Sequence, residues 1–199
     1  MRLLAFTDIH GDKKAIKAIL GSVKKDDPDI LVCAGDLSNF GDNLSMLINA
    51  IKSVKKPLLI IHGNHEDYDE LKALCENIED CVCMHKKILR LGGYLFIGMG
   101  GGGFSSRDSE FERFVENKKN ELLKGEKIIL ITHGPVYNTK VDMIHGLGHR
   151  GCKSYRRFID KYNPIVAICG HFHETFGKFD EVNNTLVINP GKAGKILEF

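Results

Sequence analysis

The sequence predicts a mixed α/β fold, with two mixed β-sheets packed face to face as a sandwich and helices outside. Three observations predict it. Apolar runs of strand length alternate with helical patterns through the first half of the chain. Further strand-length runs come after a glycine-turned hairpin in the second half. A tail of short apolar segments then closes the sequence. The 199 residues suit one domain spanning 1–199 and are enough to bury a substantial core.

Residues 3–7, 30–33 and 58–61 are runs of mostly Leu, Ile, Val and Ala with no polar alternation, the pattern of strands buried on both faces. Between them, residues 13–24 and 44–54 carry apolar side chains at helical spacing, and Asp12 is placed to cap the first helix. The β-α-β-α-β order implies right-handed crossovers and a parallel sheet. A third helix is expected over 68–75. Residues 86–91 and 94–98 flank Gly92-Gly93 and read as a hairpin; a glycine run over 100–103 leads into a polar loop and a charged helix at 110–123. Strands are expected at 128–132 and 165–169, separated by a helix over 152–162 that stops before Pro164. The tail segments 176–180, 185–188 and 195–199 read as a small antiparallel meander turning at Asn183-Asn184.

The totals exclude several function classes. Net charge is +2 with histidine neutral, and the lysines are scattered, so no basic stripe marks a nucleic-acid-binding face. Lys24-Lys25 and Lys118-Lys119 read as solvated helix surfaces. No apolar run reaches membrane-spanning length, and the opening run turns polar at Thr7-Asp8, too early for a signal peptide. Cys33 and Cys169 sit in apolar runs and behave as small hydrophobes. Cys81 and Cys83 lack zinc-knuckle spacing, and Cys75 and Cys152 complete a set best read as reduced, in a cytoplasmic chain.

The residues that carry chemistry sit just past the strand ends. The first strand ends in Asp8-Ile9-His10, the second in Gly35-Asp36, the third in Gly63-Asn64-His65-Glu66, the fourth in His133-Gly134 and the fifth in Gly170-His171-Phe172-His173. The carboxyl ends of strands are where ligands bind in open α/β sheets. Asp8, His10, Asp36, Asn64, His133, His171 and His173 offer hard oxygens and borderline nitrogens without a thiolate. That mix suits Mn, Fe, Zn, Ni or Co, with Mn first, rather than Ca or cysteine-bound zinc. Seven donors are too many for one ion and about right for two divalent ions, which in such sites lie roughly 3.5–4 Å apart. Any single Asp-x-His is ordinary helix capping; five ligand-type fragments at five strand ends are not.

These five fragments, in this order from Asp8 to His173, resemble the calcineurin-like metallophosphoesterases, and Asn189-Pro190-Gly191 is similar to a feature of their small members. The resemblance implies a first ion on Asp8, His10, Asp36 and His173, and a second on Asp36, Asn64, His133 and His171, with Asp36 bridging. His65 would face the substrate as the catalytic residue. The implied activity is metal-dependent hydrolysis of a small phosphate ester. One departure bears on the substrate. Protein phosphatases of the family carry Gly-Asp-x-x-Asp-Arg-Gly, whereas this chain has Gly35-Asp36-Leu37-Ser38-Asn39-Phe40-Gly41. Phe40 stands where an arginine would grip a dianionic phosphate, which favours diesters and the small phosphodiesterase branch. Nuclease members usually add a nucleic-acid-binding domain, for which there is no room here. The competing reading is a protein-interaction scaffold that keeps the fold and has lost the chemistry; a complete ligand set argues against it. A single-metal sensor or store would leave half of the donors unused.

Further residues are candidate substrate contacts. Arg107, beside the glycine run, is placed to reach a phosphate, with a plain surface loop as the bland alternative. His145 and His149 lie in the glycine-broken stretch 142–151 and could orient substrate. Gly98-x-Gly100-x-x-Gly103 formally matches a dinucleotide fingerprint but lacks the surrounding β-α-β unit. His62 reads as buried in its strand, and His85 has no partner legible in sequence. Nothing in the pattern determines the oligomeric state, and a homo-oligomer is compatible with it.

Overall fold

The computed structural model describes residues 1–122 and 125–199. Its elements are β1 (Arg2–Phe6), α1 (Lys13–Asp26), β2 (Ile30–Cys33), α2 (Leu44–Lys52), β3 (Leu58–Ile60), α3 (Tyr68–Glu76) and β4 (Cys81–Cys83). There follow β5 (Lys87–Leu91), β6 (Tyr94–Met99), α4 (Ser109–Lys118), β7 (Lys127–Thr132), β8 (Met143–Ile144), β9 (Gly148–His149), α5 (Lys153–Tyr162) and β10 (Val166–Ile168). The chain closes with β11 (Phe179–Val182), β12 (Thr185–Ile188) and β13 (Lys195–Glu198).

The strands form two mixed sheets and a short ribbon. One sheet has the order β13-β1-β2-β3-β4, the other β11-β12-β10-β7-β6-β5, and β8 pairs with β9. In the first sheet β1 to β4 run parallel, as the helical crossovers require. Strand alternation then divides the apolar residues among three layers. Leu3, Ala5, Ile30, Val32 and Leu59 face Phe96, Ile129, Ile131, Val166 and Ile168 between the sheets. Leu4, Phe6, Leu31 and Ile60 face Ile16, Ile19, Leu47 and Ile48 of the outer helices α1 and α2. Leu95, Ile97, Leu130 and Ala167 meet Phe111, Tyr155, Phe158 and Ile159 of α4 and α5 on the far side. The α/β/β/α sandwich expected from the sequence is therefore present, and its parallel strands are apolar throughout because both faces are covered.

Asp12 caps α1 as expected, accepting from the amides of Lys14 and Ala15 at 2.8 and 3.3 Å. Three details differ from the sequence reading. The tail is no meander: β11 and β12 form a hairpin in the second sheet, whereas β13 crosses to pair antiparallel with β1 in the first. The reason is packing. β1 would otherwise offer an open edge, and Leu197 of β13 fills the layer between the sheets. The charged helix stops at Lys118 and tightens into a 3-10 turn over Lys119–Glu121, a common way for a helix to end; Leu123, its expected last residue, lies outside the described residues. The short strand β4, not foreseen, extends the first sheet and brings Cys81 Sγ to 3.4 Å from Cys75 Sγ of α3. Among the described residues no helix is long and apolar enough to cross a membrane.

Candidate metal centre

The carboxyl ends of β1, β2, β3, β7 and β10 converge on one edge of the sandwich, and the loops beyond them are tied to one another. Asp8 N donates to Gly35 O and His10 N to Asp36 O, both at 3.0 Å, and Gly170 N donates to His133 O at 2.9 Å. Four of the motif residues take left-handed backbone conformations that side chains normally avoid: Asp8 (φ 54°), His10 (φ 47°), Asp36 (φ 53°) and His171 (φ 68°). Such strain, of order 1 kcal/mol per residue, persists where the surrounding structure over-determines it, and it concentrates at functional sites.

Close approach of the loops also dictates two glycines. A Cβ on Gly63 would fall 2.8 Å from the Asp36 amide nitrogen and collide with the Asp36 carboxylate. A Cβ on Gly170 would lie 2.5 Å from Asp8 Oδ2. Gly63→Ala is accordingly expected to destabilise the fold by about 1–3 kcal/mol, the usual range for overpacking, and to weaken metal uptake because Asp36 must move. Urea unfolding with and without added metal measures both effects; an alanine variant as stable as the parent would show that the loops have slack.

Backbone amides hold both carboxylates. Asp8 Oδ2 accepts from Thr7 Oγ1 at 2.7 Å and His171 N at 3.0 Å, and Oδ1, which accepts from the same amide at 3.2 Å, lies 3.4 Å from His173 Nε2. Asp36 Oδ1 accepts from His65 N at 3.0 Å, and its Oδ2 faces His133 Nε2 at 3.3 Å and His10 Nε2 at 3.7 Å. His10 Nε2 and His173 Nε2 are 3.2 Å apart. His133 Nδ1 lies 2.9 Å from Ala34 O, and its Nε2 lies 3.1 Å from Asn64 Oδ1. Nitrogen and oxygen donors converging at these distances could share a cation between them.

The ionisation of the histidines follows the same logic. Burial opposes charge on His133, but the hydrogen bond and charge of Asp36 outweigh it, and the pKa rises. For Asp36 burial favours the neutral acid, yet His133 and the His65 amide keep its pKa below the ordinary carboxylate value. Burial lowers His171 to about 4 and also lowers His10, whereas a hydrogen bond to Asp8 raises His173. His171 is therefore neutral near pH 7, and its buried Nε2 has no hydrogen-bond partner. A neutral, incompletely partnered imidazole beside Asp36 and His133 fits a metal ligand. The donor atoms of Asp8, His10 and His173 lie within 4.8 Å of one another, as do those of Asp36, His133 and His171, and those of His10, Asp36 and His65. The residues present thus fit divalent cations. The third triad shows that His65 is close enough to be a ligand as well as a substrate contact.

A family model for calcineurin-like phosphoesterases matches residues 1–175. The chain belongs to that family. An uncharacterized protein of Methanocaldococcus jannaschii, MJ1162, is 30% identical over 203 residues, covering 96% of this phosphoesterase chain and 88% of its own. Among solved structures, TT1561 of Thermus thermophilus superposes with a TM-score of 0.77 at 16% identity, over 96% of this chain and 89% of that one. A structure described as a novel archaeal phosphodiesterase superposes with a TM-score of 0.57 at 18% identity, over 96% and 84%. At these identities the two structures show a shared fold.

The other expected site residues are distributed differently. Arg107 precedes α4, is mostly exposed, and pairs with Glu112 at 2.7 Å. It lines a separate cleft of about 310 Å³ with His62, His85 and the glycine run. His62 is half-buried beyond the end of β3, with its pKa lowered to about 4 by burial and by His85. His85 does have a partner, accepting from Gly100 N at 3.1 Å. His149 Nδ1 is 2.6 Å from Asp142 Oδ1, and fully buried Asp142 also accepts from the amides of Asn138, Thr139 and Gly151. His145 is exposed in the turn of the β8–β9 ribbon. Among the described residues no hydrogen bond or ion pair joins Arg107, His145 or His149 to the seven donors.

The roles of two residues escaped the sequence reading. Glu66, largely buried, accepts from the amides of Asp36, Ser38 and Gly63 at 3.0, 2.8 and 2.9 Å and from Ser38 Oγ at 3.0 Å, clamping the loops after β2 and β3 together. Its signal was available, as a carboxylate directly after a ligand-type run. Buried Asn189 donates to Phe172 O and Thr175 Oγ1 and accepts from Gly191 N, holding the turn that carries His171 and His173.

Proposed function

We propose that this phosphoesterase is a two-metal hydrolase, acting as one catalytic domain over residues 1–199 and preferring phosphodiesters. Asp8, His10, Asp36 and His173 would hold one ion, and Asp36, Asn64, His133 and His171 the other, with manganese the first metal to try. The observation that carries this reading is Asp36 Oδ2, which faces His10 of one donor group and His133 of the other. The ions supply charge neutralisation for the phosphoryl oxygens and acidify a water molecule. The chain's own residues do the rest. Asp8 and Asp36 are pre-oriented by backbone donors, Glu66 fixes the spacing of two loops, and His65 stands beside His10 with ring centroids 4.7 Å apart. From there His65 could carry a proton to the departing alkoxide.

Support for a diester comes from the segment after Asp36. The Phe40 ring lies tilted against His65 with centroids 4.3 Å apart, where the family's protein phosphatases would place an arginine. The archaeal neighbour described as a phosphodiesterase agrees with this. A diester carries one charge and needs less cationic gripping than a dianionic monoester. With manganese, kcat/KM for an aryl phosphodiester is therefore expected to exceed that for a phosphoserine peptide by about tenfold or more, the scale of one charge-assisted hydrogen-bonded grip. A clear win for the phosphopeptide would refute the reading of Phe40.

A further inference from the structure

The rim of the metal centre carries an apolar feature that fold stability does not explain. Phe40 is 77% exposed and its backbone is left-handed at φ 52°. A bulky side chain is disfavoured in that conformation, and an exposed ring recovers little burial energy. Asparagine or glycine would suit the turn better. The ring lies against His65, and His65 lies against His10, with centroid separations of 4.3 and 4.7 Å. His10 in turn ends an open groove of about 450 Å³ between α1 and α2, which also reaches Asn39, the neighbour of Phe40. Its floor is apolar, made by Ile16, Met46, Leu47 and Ala50, and Met46 is 58% exposed. Lys13 and Lys17 stand on the same groove. An exposed strained ring, an exposed methionine and an apolar trough therefore all lead to one metal-ligand histidine.

We infer that Phe40 and this groove form a subsite for a hydrocarbon substituent on the phosphate, so that the substrate class is an amphiphilic phosphate ester with an alkyl chain. The inference rests on the phosphoesterase reading above and adds its specificity. The groove volume lies in the range of small-molecule pockets, and its His10 end adjoins the metal donors, so a phosphate held there would lay its substituent over the apolar side chains, with Lys13, Lys17 and Asp42 around the groove. Phe40 is then a specificity residue whose backbone strain is retained for binding.

The test uses 4-nitrophenyl phosphodiesters whose second ester group is methyl, butyl or octyl, so that the leaving group stays constant. In the metal-loaded protein kcat/KM is expected to rise by about two- to fourfold per methylene until the groove is full. Phe40→Asn and Ala50→Phe, the second of which fills the groove, should each reduce the octyl-to-methyl ratio by about tenfold or more. Phe40→Asn should keep or raise Tm, since asparagine tolerates φ > 0; a Tm several degrees lower would mean that the ring is structural. Calorimetric titration with methyl and octyl phosphate reads the groove without turnover. Equal affinities, or an octyl-to-methyl ratio unchanged in both variants, would overturn the subsite. Preferential octyl phosphate binding with no hydrolysis of any ester would instead leave the subsite standing and remove the hydrolase reading.

Discussion

Asp36→Asn is expected to lower kcat/KM by at least about 10²–10³-fold, the scale of losing one preorganised electrostatic contact, and to reduce bound metal from two ions to one or none. The side chain is 2% exposed, its Oδ1 is held by the His65 amide, and its Oδ2 faces both histidine groups. Asparagine keeps the shape and can still accept from His65 N, but it removes the charge to which both groups are directed. His173→Ala is the informative comparison. Its ring touches only Asp8 and His10 of the seven donors, at 3.4 and 3.2 Å, so it should weaken one ion and leave the other. Elemental analysis of both variants beside the parent, after reconstitution with excess manganese, measures the difference. Two ions retained in Asp36→Asn would show that this carboxylate bridges nothing, and a parent stoichiometry of one or less would end the two-metal proposal.

His65→Ala is expected to lower turnover by about 10²–10⁴-fold on alkyl esters, the range for positioned acid catalysis, and by much less on nitrophenyl esters. An alkoxide must be protonated as it leaves; a nitrophenolate departs without help. The geometry makes metal content the necessary companion measurement, because the donor atoms of His10, Asp36 and His65 all lie within 4.8 Å. If His65 carries the proton, the variant keeps its ions and the two esters separate. Equal penalties with intact metal would assign the ring to phosphate positioning. Loss of an ion would place His65 among the ligands and overturn its assignment as the acid.

The sequence itself carried the candidate donors and the edge of the fold at which the structure gathers them. The reason is local. A both-faces-buried strand reads as an unbroken apolar run, and its end is where polarity returns, so Asp8, Asp36, Asn64, His133 and His171 are visible among the first polar residues after apolar runs. Helix caps are equally local, as Asp12 shows. Pairing, by contrast, belongs to the folded chain alone. No pattern within 195–198 says that β13 leaves the neighbouring hairpin to seal the edge of β1, since edge pairing depends on which strand lacks a partner. Arg107 could be judged only by its neighbour, and Glu112 holds it. Glu66 reads in sequence as one more acidic residue after a turn; its clamp joins amides separated from it by up to 30 positions, and only the folded loops bring these together. Phe40 looked like the loss of an arginine. Its exposure, its left-handed backbone and the groove beyond His10 emerge only on packing, because a groove is made by two helices that the sequence lists separately and the core sets side by side.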